Sequence, residues 1–549
     1  MDTREKNVFY RLLVIITLCA AVALLGMYAF AMAGTENISS QNTYRLDISE
    51  RVVRGSLYDR DGRLLALEVP VYSVSLWIPS VRNPEAVADV ASAYLPVTRE
   101  QVLERIAQRS GFFYLARGID YETGEALQNE INQRNIQGIS LEKQYGRSYP
   151  YRNMAAQSIG FTDIDNNGAG GIEYYYNSRL YPLPDPESAV TYGEQLVLTL
   201  SVPHQALLDR ALEDILEDHR ADGVSGVIMD GSTGDILAIG SHPSFDPNNP
   251  GISTEQQRMN RAVSSMYEPG SVFKVFSLAA LIELLGDDRP PYMCRRTHHH
   301  TLNDGSTITI NCTTAHGEVS TRDIIKYSCN NAIAHLALQA DSQAFYDTLI
   351  SFGFSQRTNA GLPGEAPGVL ASPERWSERS KPTIAFGQES AMTALQAAQA
   401  ATALTNRGMM LQPHIVKEIR EFEGALTYER EVLDLGQVIS PDTAEEILSF
   451  MKTAVEPGGT ANRMHIPGVE LAAKTGTAQL PDPEGGGYSQ TRYLASTIAV
   501  VSADASPLII YIAADYPKAG SIYGATVVVP AIRQIVEGLI DFGEVTPRR

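Results

Sequence analysis

The stretch Tyr267-Glu-Pro-Gly-Ser271-Val-Phe-Lys274 puts a serine and a lysine three residues apart, directly after a Pro-Gly pair. Such a breaker pair suits the start of a helix, so the pattern predicts a helix that begins near Ser271. Residues three apart on a helix share a face, and the two side chains can therefore touch. Because a serine hydroxyl needs a nearby base to become a good nucleophile, Ser271 and Lys274 are the candidate nucleophile and base.

Two further motifs follow at long range, Ser328-Cys-Asn330 and Lys474-Thr475-Gly476-Thr477. Each motif alone is weak evidence. The chain also contains Ser140-Leu-Glu-Lys143 and Ser40-Gln-Asn42, which match the first two patterns and which we interpret as surface or loop residues. The ordered combination of all three motifs is what predicts one serine-lysine active site.

The three motifs resemble the signatures of penicillin-binding proteins and serine β-lactamases. Earlier segments, among them Arg51–Gly62, Arg147–Pro150 and Gly168–Glu173, resemble the pedestal of class B penicillin-binding proteins, in which arginines and glycines tie the strands below the catalytic domain. We find no segment similar to a glycosyltransferase domain, which excludes the bifunctional class A architecture. The resemblance favours a class B transpeptidase, and the short C-terminus favours the septal over the elongation type.

Length and composition agree with a large globular protein. The chain has 549 residues, enough for two or three domains, and 44% hydrophobic residues, enough for sizeable cores. A formal net charge of -20 argues against nucleic acid and against an anionic membrane surface as partners.

The N-terminal region predicts a membrane anchor. Leu12–Gly34 is an uncharged apolar run long enough to span a hydrocarbon core of about 30 Å as a helix. Arg4, Lys6 and Arg11 precede it, which predicts a cytoplasmic N-terminus and a catalytic part in the periplasm or otherwise outside the cytoplasmic membrane. A cleaved signal peptide is the alternative, although its apolar region is usually only about 7–15 residues long.

The pattern predicts a mixed α/β protein in four parts: a cytoplasmic tail over 1–11, the anchor over 12–34, an α+β pedestal over 35–192 and a catalytic domain over 193–543. Asp61-Gly62 predicts a hairpin turn between short strands at Ser56–Tyr58 and Leu64–Leu67, with Val71–Leu76 as a third strand. After Gly193, a strand, a helix and a strand pair predict an α/β sandwich. The resemblance implies a mainly antiparallel catalytic sheet flanked by helices.

The resemblance also implies the roles of the motif residues. Ser271 would attack the penultimate D-Ala of a D-Ala-D-Ala stem peptide, and Lys274 would act as its base if burial or a nearby cation lowers its pKa. Ser328 would relay a proton to the leaving amine, and Asn330 would fix Lys274 and the substrate amide. The edge-strand residues Lys474, Thr475, Gly476 and Thr477 would bind the substrate carboxylate, and the backbone amides of Ser271 and Thr477 would form the oxyanion hole.

Three cysteines fall outside the apolar run: Cys294, Cys312 and Cys329, with His316 four residues after Cys312. They leave three interpretations open. The four residues could form a closed structural zinc site of the Cys₃His type, with His298-His-His300 as competing ligands. Cys294 and Cys312 could instead form a disulfide, or all three thiols could be buried and unpaired. In none of these would a metal be catalytic, and the resemblance implies no cofactor for the reaction.

The sequence leaves three candidate functions. The leading one is an anchored D,D-transpeptidase that cross-links the cell wall in division or elongation and is acylated by β-lactams. A D,D-carboxypeptidase or β-lactamase-like hydrolase is the second, and a non-catalytic scaffold or β-lactam sensor is the third. Because the chain lacks glycosyltransferase machinery, the resemblance implies a SEDS-type glycan polymerase and other division or elongation proteins as partners.

Overall fold

A computed structural model describes residues 51–301, 305, 307–482 and 485–548. Its strands are β1 Arg51–Val53, β2 Leu57–Tyr58, β3 Leu64–Trp77, β4 Phe112–Asp120, β5 Ile139–Ser148, β6 Val190–Tyr192, β7 Gln195–Leu198, β8 Gly223–Asp230, β9 Ile236–His242, β10 Tyr292–Cys294, β11 Thr297–Thr301, β12 Thr307–Asn311, β13 Gly317–Val319, β14 Val369–Leu370, β15 Ser390–Ala391, β16 Met409–Leu411, β17 Val416–Arg420, β18 Leu426–Glu429, β19 Asp434–Gln437, β20 Leu471–Pro481, β21 Tyr488–Val501 and β22 Leu508–Asp515.

The α-helices are α1 Pro84–Tyr94, α2 Arg99–Gln108, α3 Tyr121–Gln133, α4 Ala156–Ile159, α5 Gly171–Tyr175, α6 Asn177–Leu180, α7 Val202–His219, α8 Glu255–Arg258, α9 Arg261–Ser264, α10 Lys274–Leu285, α11 Thr321–Lys326, α12 Asn330–Gln339, α13 Ser342–Ser351, α14 Ser380–Ala385, α15 Ala394–Thr405, α16 Pro441–Val455, α17 Gly524–Val527 and α18 Val529–Asp541. The predicted anchor at Leu12–Gly34 lies outside the described residues. Within the described ranges, no helix combines the length and apolarity needed to cross a bilayer.

The pedestal is built on the long strand β3. This strand pairs antiparallel with β4 and with β5, and helices α1 to α3 cover it with a small apolar core that includes Val74, Leu76 and Leu127. Asp61-Gly62 forms the predicted turn, and Gly62 takes a φ of 87° there. The prediction of a separate strand at Val71–Leu76 is wrong, because β3 continues through this segment.

A cluster of charged side chains fixes the base of the pedestal. The Nε of Arg54 donates to Glu173 at 2.7 Å, and the Nε of Arg147 donates to the other carboxylate oxygen at 2.6 Å. Arg54 also donates to Asn177 at 2.7 Å and to two backbone carbonyls. The side chains of Arg54 and Glu173 are 0% exposed, so this ion pair lies inside the protein.

The catalytic part is a sandwich around the sheet β20-β21-β22-β8-β9, in which all neighbours are antiparallel. One face of the sheet packs against the buried helices α10 and α15, and the other packs against α7 and α18. The architecture is therefore mixed α/β, as the sequence predicts. Strand β20, which carries Lys474, lies at the edge of the sheet and packs against α16 and against the turn Gly270–Phe273 that precedes α10.

The pedestal and the catalytic part also share a sheet. Strand β2 pairs in parallel with β7, and β7 pairs antiparallel with β17, so the order is β18-β17-β7-β2-β3-β4. Strands from both sides of residue 193 thus contribute backbone hydrogen bonds to one ladder. This continuity couples the pedestal to the domain that carries the three motifs.

Candidate active site

The nucleophile segment begins as a tight turn. Residues Gly270–Phe273 form a 3₁₀ helix, which α10 continues from Lys274. Because a 3₁₀ helix has three residues per turn, residues i and i+3 lie one above the other. The Nζ of Lys274 accordingly lies 2.8 Å from the Oγ of Ser271. Gly270 has a φ of 54°, and a Cβ there would lie 3.0 Å from the carbonyl oxygen of Thr477, so glycine lets this turn approach β20.

Ser328 lies between the two lysines of the site. Its Oγ is 3.2 Å from the Nζ of Lys274 and 2.9 Å from the Nζ of Lys474. The residue takes a φ of 59°, a left-handed conformation that a serine rarely adopts. Lys274 also donates to the carbonyl oxygen of Ser328 at 3.0 Å and to the Oδ1 of Asn330 at 2.5 Å. A continuous chain of polar contacts thus runs from Ser271 through Lys274 and Ser328 to Lys474.

Both lysines are buried without a counter-charge. Lys274 and Lys474 are 0% exposed, and within the described ranges no carboxylate lies at ion-pair distance from either ammonium group. Burial lowers the pKa of Lys274 to about 8. Burial, together with the charge of Lys274, lowers the pKa of Lys474 well below its usual value. The sequence predicted that burial or a nearby cation would lower the pKa of Lys274, and burial is the main cause. Lys274 is therefore able to accept a proton near neutral pH.

The edge strand β20 forms one wall of the site. The carbonyl oxygen of Thr475 accepts from the Nζ of Lys474 at 2.7 Å, and the Oγ1 of Thr477 accepts from the backbone of Gly524 at 3.3 Å. Gly476 packs against the nucleophile turn, where a Cβ would lie 2.9 Å from the Cγ2 of Val272 and 2.5 Å from the Oγ of Ser496. A larger residue at this position would force β20 away from Ser271.

These elements enclose a groove of about 610 Å³. Predicted site residues and residues that the sequence analysis did not single out share its lining. The predicted ones are Ser271, Ser328, Asn330, Thr475, Gly476 and Thr477. Among the others are Thr313, Tyr327 and Phe386, which the motifs did not include. Only Tyr327 carried a signal, its position directly before Ser328, because the other two reach the groove through tertiary packing alone.

A second cluster lies beside the Ser328 segment. One ligand atom from each of Cys294, Cys312, His316 and Cys329 lies within 4.8 Å of the other three. The three thiols are free and buried. The contact between the thiols of Cys312 and Cys329 lowers the pKa of Cys312, because the Cys329 thiol donates a hydrogen bond to the Cys312 thiolate. His299 does not join the cluster and contacts Thr309 instead, at 2.9 Å.

The cluster is continuous with the catalytic motif. Cys329 stands between Ser328 and Asn330, and the Nδ2 of Asn330 donates to the backbone of Asn311, the neighbour of Cys312, at 2.9 Å. Any change in the position of these thiols would therefore move Ser328 and Asn330 as well.

The site has the parts that an acyl transfer needs. It contains a serine beside a buried lysine of lowered pKa, a second hydroxyl in contact with both lysines, and an edge strand that flanks a peptide-sized groove. Together with the antiparallel sheet between two helical layers, this arrangement defines a serine acyltransferase of the penicillin-recognising type.

Comparison with known families gives the same result. The model of the penicillin-binding protein transpeptidase domain matches residues 224–537, and that of the penicillin-binding protein dimerisation domain matches residues 49–182. The chain belongs to the penicillin-binding protein transpeptidase family, and its two matched domains are those of a class B member.

Individual relatives cover nearly the whole chain. The chain is 28% identical over 521 residues to the probable peptidoglycan D,D-transpeptidase PenA of Neisseria gonorrhoeae, which covers 90% of this chain and 85% of that protein. It is 27% identical over 530 residues to the peptidoglycan D,D-transpeptidase FtsI of Escherichia coli, with 90% and 84% covered. The structure is similar to penicillin-binding protein 3 of Mycobacterium tuberculosis complexed with aztreonam, with a TM-score of 0.71, 25% identity, and 91% and 98% covered.

Proposed function

We propose that the protein is a peptidoglycan D,D-transpeptidase that works through an acyl-enzyme on Ser271. The observation that carries the proposal is the contact of 2.8 Å between the Ser271 hydroxyl and the Nζ of Lys274, an amine that is buried without a counter-charge. Relatives that match at 27–28% identity are named peptidoglycan D,D-transpeptidases, and the similar solved structure contains a β-lactam.

In acylation, protons move along the polar contacts that connect Ser271, Lys274 and Ser328. Lys274 takes the proton of Ser271 as the Oγ–C bond forms to the carbonyl carbon of the penultimate D-Ala. Ser328, in contact with both lysines, passes a proton to the leaving amine, so the C–N bond breaks and the terminal D-Ala departs. Lys474, Thr475 and Thr477 hold the carboxylate of the stem peptide along β20. The oxyanion is stabilised by the backbone amides of Ser271 and Thr477.

An amine from a neighbouring stem peptide then completes the reaction. Its nitrogen attacks the ester carbon, Ser271 recovers a proton through Lys274, and a peptide cross-link remains. A β-lactam acylates Ser271 in the same way, but its ring opens without releasing a leaving group, and the ester persists.

The test is product analysis with the purified full-length chain. A stem pentapeptide substrate with an acceptor amine should give cross-linked dimer and free D-Ala, and Ser271→Ala should give neither. Release of D-Ala without dimer would favour a D,D-carboxypeptidase. Normal growth of cells that carry only Ser271→Ala would favour a scaffold.

The proposal includes an anchored location and a partner. The apolar run at Leu12–Gly34 and the cations before it support a single-pass anchor with the catalytic part outside the cytoplasm. A transpeptidase without glycosyltransferase machinery needs glycan strands from another enzyme, for which a SEDS-type polymerase is the candidate. Depletion should give filamentous cells if the protein serves division and rounded cells if it serves elongation.

We also propose a structural zinc ion at Cys294, Cys312, His316 and Cys329. A tetrahedral site with Zn–S bonds of about 2.3 Å and a Zn–N bond of about 2.1 Å has S···S edges of about 3.8 Å and S···N edges of about 3.6 Å. The Sγ atoms of Cys312 and Cys329 lie 3.7 Å apart, and the Sγ of Cys294 lies 3.5 Å from the Nδ1 of His316. This donor set supports zinc over a disulfide, whose sulfurs would be about 2.05 Å apart. The ion would hold the Ser328 segment without entering the reaction.

Metal analysis of the purified chain tests the zinc proposal. We expect one zinc ion per chain, which Cys294→Ser should remove, whereas Cys19→Ser, in the apolar run, should leave the zinc content unchanged. A chain without stoichiometric zinc that titrates with two free thiols, Cys19 and one of the other three, would instead indicate a disulfide.

A further inference from the structure

A second cavity, of about 570 Å³, lies behind the segment that leads to Ser271. Along β20 and β21, neighbouring residues line this cavity and the catalytic groove in turn. Leu480 and Arg492 face this cavity, whereas their neighbours Gln479 and Tyr493 line the groove. The two lining sets have no residue in common among the described residues, so a molecule bound behind the segment would not occupy the substrate groove.

The first charged group of this cavity is Arg261, at the start of α9. It is only 8% exposed, and its Nη1 donates to the backbone carbonyl of Gln256 at 2.8 Å. In the part of the chain that the structure describes, no carboxylate lies at ion-pair distance from its guanidinium. Gly223 makes room for it, because a Cβ there would lie 2.6 Å from the Nε of Arg261. Asp515 acts on this guanidinium electrostatically but forms no ion pair with it, so an anionic ligand can still pair with Arg261 directly.

Two further groups of the lining have unused hydrogen-bonding atoms. The Oδ1 of Asp515 and the Nε of Arg492 are buried and have no hydrogen-bond partner among the described residues. The guanidinium of Arg492 lies 5.2 Å from the centroid of the Tyr516 ring, which leaves its edge free. Asp222, the other carboxylate of the lining, is already paired with Lys518. The cavity therefore offers two guanidinium groups and one carboxylate that interact electrostatically but form no ion pair among the described residues.

The remaining lining is largely apolar and includes Met259, Met266, Leu480 and Leu494. The volume falls within the range of about 300–1,000 Å³ that small-ligand sites occupy. We propose that this cavity binds a zwitterionic amino acid or short peptide, whose carboxylate lies between Arg261 and Arg492 and whose ammonium group lies at Asp515. Planar guanidinium groups suit a carboxylate, and a single acidic group suits an ammonium ion. This site is independent of the proposed transpeptidase reaction.

Calorimetric titration of the full-length chain tests the proposal. The chain is first acylated with benzylpenicillin, which blocks the catalytic groove, and is then titrated with the dipeptide D-Ala-D-Ala. We expect saturable binding to the acylated protein. The N-acetyl dipeptide and the dipeptide methyl ester, which each lack one charge, should bind about tenfold more weakly or worse, since a charge-assisted hydrogen bond contributes at least that much.

Variants of the lining test whether the dipeptide binds in this cavity. Arg261→Gln and Arg492→Gln should each weaken binding by about tenfold or more, whereas Arg533→Gln, which removes an exposed guanidinium on α18, should leave it unchanged. If Arg261→Gln fails to fold in a melting experiment, the more exposed Arg492 decides. Three results would overturn the proposal: no saturable binding to the acylated chain, binding only before acylation, or equal binding by the Arg492→Gln and Arg533→Gln variants.

Discussion

The base of the pedestal and the catalytic groove both bury charge, but they treat it differently. In the pedestal, the guanidinium groups of Arg54 and Arg147 share the carboxylate of Glu173 at 2.6–2.7 Å. In the groove, Lys274 and Lys474 are equally buried, yet their neighbours are hydroxyl, amide and carbonyl oxygens. The pedestal pairs opposite charges, whereas the groove leaves two amines with neutral partners.

The difference separates stability from reactivity. A buried ion pair is costly to break, because either partner left alone would be an unpaired charge in an apolar interior. A buried amine without a counter-ion loses its proton more readily instead, as the lowered pKa of Lys274 shows. The same burial therefore fixes the pedestal and makes Lys274 a base.

The largest expected effect follows from removal of the buried amine. Lys274→Met keeps the length and apolar stem of the side chain but removes the base. We expect the rate at which fluorescent penicillin acylates Ser271 to fall by up to about 10⁴-fold, the upper end of what a positioned general base contributes. The free energy of unfolding, measured in denaturant, should fall less than on breaking a buried ion pair, since only hydrogen bonds to neutral acceptors are lost.

The control for this variant is Lys452→Met, which changes an exposed lysine paired with Glu470. It should leave both the acylation rate and the stability nearly unchanged. If Lys274→Met acylated within tenfold of the native chain, the assignment of Lys274 as a base would be wrong.

The second prediction concerns the buried ion pair of the pedestal, where stability should fall and acylation should not. Glu173→Gln removes the carboxylate between Arg54 and Arg147 and should lower the free energy of unfolding by about 3–5 kcal/mol. The acylation rate per folded molecule should stay the same, because none of these residues lines the groove. Glu537→Gln, in an exposed pair on α18, is the matched control and should cost less than about 1 kcal/mol. A large loss of acylation with unchanged stability would contradict the structural role of Glu173.

The third prediction concerns pH. Because only the neutral amine of Lys274 accepts a proton, and its pKa is lowered to about 8, acylation should rise about tenfold per pH unit below 8 and level off above it. The folded state binds fewer protons at Lys274 than the unfolded state between about 8 and 10.5, so this group makes stability rise with pH in that window. A rate that is constant from pH 6 to 9 would rule out Lys274 as the titrating base.

The sequence predicted the motif residues but not the backbone that brings them together. The spacing of Ser271 and Lys274 was sufficient to predict that their side chains touch, because residues three apart lie one turn apart on a helix. The left-handed φ of Ser328 has no local signal, because only the packed surroundings hold a serine in that conformation. The predicted break in β3 failed for a specific reason. Pro70 pairs with Tyr145 of β5, and the ladder with β4 begins only at Val71, so the proline lies on one ladder and β3 continues past it.

The decoy Ser140-Leu-Glu-Lys143 provides the smallest expected effect. It lies on strand β5, not in a loop, and residues three apart on a strand point to opposite faces. Ser140 contacts the Oγ of Ser75 at 3.0 Å, while Lys143 contacts Glu125 at 3.4 Å, and hydrogen bonds to tyrosine hydroxyls raise its pKa. Ser140→Ala should therefore leave penicillin acylation unchanged and cost at most about 1 kcal/mol of stability. Labelling of the Ser271→Ala variant by penicillin, with loss of that label in the double variant with Ser140→Ala, would show instead that spacing alone can activate a serine.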